Sequence, residues 1–267
     1  MTDDPFGVAD KTYVIIGGTT GLGLSAAKAL AKNRANLVIV GRSEANLESA
    51  LNDLGKSARG ESGDATHPET AARAIAKAVA EFGKLDGLYH VAGGSGRSKG
   101  DGPLHELTDE GWQFTCDLNL SSLIYANRAA IRQFRAQNSG GVVLNMGSVL
   151  GNSPSPSYFA SHGYAATKSA ILGFSKSIAA YYAPQNIRVN VITPALVATP
   201  MSERAQGNRE ILDFVKTKQP LDGGRIGIPE DLDEAVLFLL GEHSNFVTGQ
   251  VLAVDGGWTV SEGQIPT

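Results

Sequence analysis

The sequence holds a single cysteine, Cys116, so no disulfide can close within the chain. That fits a reducing compartment, and a cytoplasmic location is the expectation. Long apolar runs are missing. None approaches the length that spans a bilayer, so no membrane role is expected. The opening segment MTDDPFGVADK is acidic and has no apolar stretch, and it does not read as a signal peptide. Excess positive charge is missing too. The 23 Lys and Arg against 27 Asp and Glu leave a net charge of −4, with no electrostatic footprint for nucleic acid. The five histidines, at 67, 90, 105, 162 and 243, lack metal-ligand spacing, and no metal is expected. No repeat or low-complexity linker divides the chain.

What is present is enough for an ordinary core. The 267 residues are 42% hydrophobic and 19% charged, and the 32 glycines suit tight loops. Short apolar runs alternate with helical periodicity. Tyr13 to Ile16, Leu37 to Val40, Gly87 to Val91, Val142 to Met146, Val189 to Ile192 and Gln250 to Val254 read as strands. Ser57 to Gly63 is polar where a further strand belongs, so that strand is weak or short. Helices are expected over about 22–33, 45–54, 114–134 and 229–240. Thr66, Pro68 and Glu69 look like a helix start with a threonine cap. Ala170, Phe174, Ile178 and Tyr181 stripe another helix. Alternating strands and helices imply right-handed crossovers. The expected fold is α/β, a doubly wound Rossmann-type parallel sheet of about seven strands with helices on both faces. It forms one domain over residues 1–267.

Such folds bind ligands beyond the carboxyl ends of their strands. After the first strand comes Gly17-Gly18-Thr19-Thr20-Gly21-Leu22-Gly23, opening a helix. Small residues there let backbone N–H groups approach a pyrophosphate, although a tight turn alone would use them too. After the second strand, Gly41-Arg42-Ser43 lacks the carboxylate that accepts ribose hydroxyls of NAD. Arg42 can pair with the 2′-phosphate of NADP and Ser43 can add a hydroxyl. Otherwise Arg42 is an exposed helix-start arginine. Asp64, in Gly63-Asp64-Ala65, is either an adenine contact or a turn aspartate. His90-Val91-Ala92-Gly93-Gly94 again allows close backbone approach. Arg97 and Lys99 beyond it either rim the cleft or are merely solvated. Met146-Gly147-Ser148 places a hydroxyl at a strand end. Thr193 to Thr199, with Pro194, Ala195 and Val197, could lie along a nicotinamide ring. Asn119 sits mid-helix, where asparagine is a poor helix former.

GYAATK, residues 163–168, puts Tyr164 and Lys168 on one helical face. A solvated face would do the same. A nearby ammonium also draws a phenol's pKa down, making it a usable acid or base. In order and spacing these motifs resemble the classical short-chain dehydrogenase/reductase family over about residues 11–260. The resemblance adds Pro229-Glu230-Asp231-Leu232 and the run from Val247 to Gly257.

The resemblance implies that Tyr164 is the general acid in carbonyl reduction and the base in reverse. Lys168 holds ribose hydroxyls and lowers the Tyr164 pKa, Ser148 orients the substrate oxygen, and Asn119 supports a water chain. The backbone after Pro194 and the Thr199 hydroxyl bind the nicotinamide amide. Arg42 and the missing carboxylate favour NADP(H) over NAD(H), and the resemblance implies a small carbonyl or alcohol substrate and a homotetramer. An NAD-dependent alcohol dehydrogenase of the same family and a non-enzymatic dinucleotide-binding regulator are the alternatives. The chain departs from the family at Ile16 (usually threonine), at His90-Val91 (usually paired asparagines) and at Ala195 (usually glycine). Extra residues within Ser153 to Phe159 separate Ser148 from Tyr164, and Tyr158, Phe159 and His162 are candidate pocket residues. A lid is expected over about 195–225, with apolar faces at Met201, Ile211, Leu212 and Phe214.

Overall fold

The computed structural model describes residues 4–264, so the first three and last three residues of the domain expected over 1–267 lie outside the described residues. The chain runs β1 (Thr12–Ile16), α1 (Gly21–Lys32), β2 (Asn36–Gly41), α2 (Glu44–Leu54), β3 (Ala58–Ser62), α3 (Pro68–Phe82) and β4 (Gly87–His90). It continues α4 (Asp109–Cys116), α5 (Ser122–Gln137), β5 (Gly141–Met146), α6 (His162–Tyr182), β6 (Ile187–Pro194), α7 (Glu203–Gln206), α8 (Arg209–Lys218), α9 (Asp233–Leu240) and β7 (Val251–Val254). All seven strands pair in parallel in one sheet, ordered β3-β2-β1-β4-β5-β6-β7. This is the expected doubly wound Rossmann-like sheet. Its order reverses between β1 and β4, which opens a crevice at their carboxyl ends.

Side chains alternate across the sheet. Tyr13, Ile15, Leu37, Ile39 and Leu144 face α1 and α9. Val14, Ile16, Val38, Leu88 and Val143 face α3 and α5. Both faces are covered, so the central strands are largely apolar. Each such buried side chain contributes about 1.5–3 kcal/mol. A polar knot ties the elements that carry the site. Asn145 on β5 exchanges hydrogen bonds with Asn127 on α5 at 2.8 and 3.0 Å and donates to Ser175 on α6 at 3.0 Å.

The short polar strand expected after α2 is β3, an edge strand of ARGES whose outer residues need no apolar cover. Three expectations change. The cap of α3 is His67, because the Thr66 hydroxyl is spent on Asp64 at 2.9 Å. The long helix expected over 114–134 is divided by a π-helical turn at Asp117–Ser121. On α6 the buried face is Thr167, Lys168, Ile171, Ser175 and Ala179, whereas Ala170 and Tyr181 of the expected stripe are exposed. That helix turns a partly polar face inward, where Lys168 and Ser175 hydrogen-bond with Met146 and Asn145 of β5.

Candidate active site

A cavity of about 620 Å³ runs along the carboxyl ends of the strands and is walled by the segments that follow β1 to β6. Its floor is built from backbone. Gly17 has φ +88°, and a Cβ there would sit 2.7 Å from the Ala92 nitrogen, so the ends of β1 and β4 touch only because this residue is glycine. A Cβ on Gly23 would come within 2.1 Å of the Gly17 carbonyl oxygen. Across the cleft the Thr199 methyl would lie 3.4 Å from a Cβ on Gly21. A cradle of bare backbone opening the N-terminus of α1 fits the phosphates of a dinucleotide.

At one end of this cavity stand Arg42 and Ser43. Arg42 is exposed, and the Ser43 hydroxyl accepts from the Asn46 N–H at 3.3 Å, capping α2. Asp64 uses one carboxylate oxygen on the Thr66 N–H and hydroxyl, both at 2.9 Å. Burial pushes this carboxyl up, but those bonds and nearby Arg42 and His67 bring it below its ordinary value. Asp64 is therefore a turn aspartate that also borders the cavity with Ala65.

At the other end lie Ser148, Tyr164 and Lys168. Ser148 follows β5, and its hydroxyl accepts from the Leu150 N–H at 3.2 Å. Tyr164 is in the first turn of α6. Lys168 is buried one turn on, with Nζ donating to the Met146 carbonyl at 2.9 Å and standing 5.6 Å from the Tyr164 ring centre. Burial pulls the Lys168 ammonium down to about 8. Burial raises the Tyr164 phenol above its ordinary value, and a hydrogen bond with Ser148 opposes that. The expectation that Lys168 draws the phenol down is thus not met. Lys168 is buried, and its ammonium is turned toward a carbonyl.

Two expected residues stand behind the wall and do not line it. Gly23 packs under the glycine loop. Asn119, fully buried in the π-helical turn, accepts from the Gly94 N–H at 3.0 Å and donates to the Gly94 carbonyl at 3.0 Å. It fastens the Ala92-Gly93-Gly94 loop to the helix. Pro194, Ala195, Val197 and Thr199 form the far side. His90 lies beneath the site, fully buried, with Nε2 unpartnered among the described residues. Burial, then the Lys168 charge, lowers its pKa to about 3.

A second cavity of about 330 Å³ shares Ser148 and Tyr164 with the first. Phe159 lines it. Tyr158 turns its ring onto Phe214, with centroids 5.2 Å apart. His162 is exposed and accepts from the Leu104 N–H at 3.0 Å, away from the pocket. The expected lid is helical over α7 and α8. Met201 reaches both cavities, while Ile211 and Phe214 pack inward with Val149 and Trp258.

Three residues of this region carry no signal in the sequence. Arg204 and Trp258 line the second cavity from distant segments. Buried Asp101 accepts from the N–H groups of Gly163 and Tyr164, both at 2.9 Å, and so caps α6 from 62 residues away. Ser161, at the local cap position, makes no side-chain capping bond.

Comparison with known proteins agrees with this geometry. A family model described as Enoyl-(Acyl carrier protein) reductase matches residues 17–259. The cis-4-hydroxycyclohexanecarboxylate dehydrogenase of Sinomonas cyclohexanicum is 32% identical, over 94% of this chain and 97% of its own. The 3-oxoacyl-[acyl-carrier-protein] reductase FabG of Chlamydia muridarum is 34% identical, over 94% and 98%. A solved short-chain type dehydrogenase/reductase from Mycobacterium ulcerans superposes with a TM-score of 0.88 at 31% identity, covering 96% of this chain and 92% of that one.

Proposed function

The chain belongs to the short-chain dehydrogenase/reductase family, and from that premise we propose that it is an NADP(H)-dependent carbonyl reductase interconverting a ketone and a secondary alcohol. The observation that carries this reading is that both cavities are lined by Ser148 and Tyr164. A nucleotide in the larger and a ketone in the smaller would meet there. When bound, the nicotinamide nucleotide supplies the hydride or takes it up.

The chain's own residues do the rest. Tyr164, its pKa raised by burial, keeps its proton at neutral pH and hands it to the substrate oxygen. Ser148 hydrogen-bonds and orients the same oxygen. Lys168 holds the ribose hydroxyls and supplies positive charge beside Tyr164. Asn119 holds the loop that shapes this end of the cleft and supports a water chain to Lys168. Gly17, Thr19, Thr20, Gly21 and Leu22 cradle the pyrophosphate. Arg42 and Ser43 take the 2′-phosphate, Asp64 and Ala65 border the adenine, and Pro194, Ala195, Val197 and Thr199 flank the nicotinamide amide.

Names of relatives add a substrate class. One acts on a hydroxycyclohexanecarboxylate and another on a 3-oxoacyl group, and both are secondary alcohol or ketone chemistry. Assembly as a homotetramer is part of the proposal. The exposed flank of α6 at Ala170 and Tyr181, and Phe246 and Leu252 by β7, would be covered in it. Sedimentation of the purified protein tests that, and a monomer overturns it.

The cofactor is tested by fluorescence titration with NADPH and NADH beside Arg42→Ala. NADPH should bind at least about tenfold tighter, and the variant should erase that preference. Preference for NADH, or no change in the variant, overturns the NADP(H) assignment.

A further inference from the structure

Arg97 and Arg204 stand at the edge of the smaller cavity. They come from segments far apart, Arg97 from the loop after β4 and Arg204 from α7. Their guanidinium groups nevertheless converge on one atom, the Tyr158 carbonyl oxygen, at 3.5 and 3.2 Å. Each guanidinium is a rigid fork of N–H donors, so one shared carbonyl leaves most of those donors unanswered. Among the described residues neither arginine has an ion-pair partner, whereas Arg59, Arg73, Arg209 and Arg225 all do. Asp101 is an opposing charge felt by Arg97, but both its oxygens are held by the first N–H groups of α6. Burial first, then the charge of Arg204, disfavours the charged form of Arg97, and Asp101 only partly offsets this. Two like charges held together without a counter-ion are a standing invitation to an anion.

The cavity that holds this pair together with Ser148 and Tyr164 is mostly apolar. Val149, Leu150, Phe159 and Trp258 share its lining with Ser148, Tyr164 and both arginines. A ligand filling it meets hydroxyls, apolar side chains and two guanidinium groups.

We infer that the substrate is a small keto acid or hydroxy acid, whose carboxylate is clamped by Arg97 and Arg204 while its carbonyl or alcohol end reaches Tyr164. The inference rests on the carbonyl-reductase reading of this cavity. A volume of about 330 Å³ holds a short apolar spacer between the two ends. Arg97 and Arg204 then set specificity, since an uncharged analogue leaves the pair unsatisfied.

The test uses the wild type, Arg97→Gln, Arg204→Gln and the double variant. Both side chains are exposed, and thermal melting confirms that the variants stay folded. The probes are 4-oxopentanoate, 5-oxohexanoate and 6-oxoheptanoate, each beside its methyl ester. Two signals are read: oxidation of the reduced nucleotide, and quenching of tryptophan fluorescence through Trp258 at the pocket wall. The wild type should favour at least one acid over its ester by about tenfold or more in both KM and quenching. Each single variant should erode that preference, and the double variant should abolish it. Equal handling of acids and esters, a preference that survives in the double variant, or quenching by neither probe overturns the inference. Acid-selective quenching without oxidation by any ketone would sustain the anion clamp and overturn the reductase reading instead.

Discussion

The two cavities that meet at Tyr164 are built from different materials. The larger is walled by backbone at strand ends, and its shape depends on where a Cβ is absent. The smaller is walled by side chains from four separate stretches, around Arg97, Val149 to Ser161, Ala195 to Ala205, and Trp258. Backbone sites tolerate few residue types and can serve only a ligand of fixed shape. Side-chain sites can be rebuilt one residue at a time. One chain can therefore hold a common nucleotide rigidly and still acquire its own substrate.

The sharpest way to probe the junction is Tyr164→Phe. Turnover should fall about 10²–10⁴-fold while nucleotide affinity, read by fluorescence titration, stays close to that of the wild type. Unchanged turnover would sink the proposed acid. Next comes a change of one carbon on each side. Gly23→Ala puts a Cβ 2.1 Å from the Gly17 oxygen and should cost about 1–3 kcal/mol in stability or nucleotide binding. Leu150→Val, a change of similar size on the substrate wall, should move KM by less than about tenfold and leave nucleotide affinity alone. Equal damage from both would erase the contrast between the cavities.

A smaller effect is expected at the cap of α6. Asp101→Asn keeps the size but replaces one acceptor oxygen by a donor. It should lower stability by about 1–2 kcal/mol and reduce kcat more than it raises KM for nucleotide. A variant with unaltered melting temperature and kcat would show the cap to be idle.

A pH dependence is expected under the larger cavity. His90 has a folded pKa of about 3 against an ordinary 6.5. Between those values the unfolded chain binds a proton that the folded chain does not. Stability is therefore full above 6.5 and falls as the pH drops toward 3, by at most about 1.4 kcal/mol per pH unit. Urea titrations across that range should show a shallower fall in His90→Asn.

What could be read from the sequence follows the same division. The glycine loop, Ser148 and the Tyr164/Lys168 pair were legible because backbone approach and helical spacing leave a fixed mark. Arg97 was visible only as one of two cations in a loop, because nothing in its neighbourhood announces Arg204, more than a hundred residues on. Asp101 was silent for the same reason. The stripe on α6 misled because periodicity finds the apolar side of a helix, and this helix buries Lys168, Thr167 and Ser175. Thr66 misled because its hydroxyl had a better partner in Asp64.

The cap on α6 also bears on the order in which the molecule assembles. Asp101 leaves the ribosome well before Tyr164, so the anchor is already made when α6 emerges. The contact joins residues 62 apart in sequence, so it belongs with the long-range pairings that form after local helix. During refolding, far-ultraviolet helical signal should therefore return ahead of enzymatic competence.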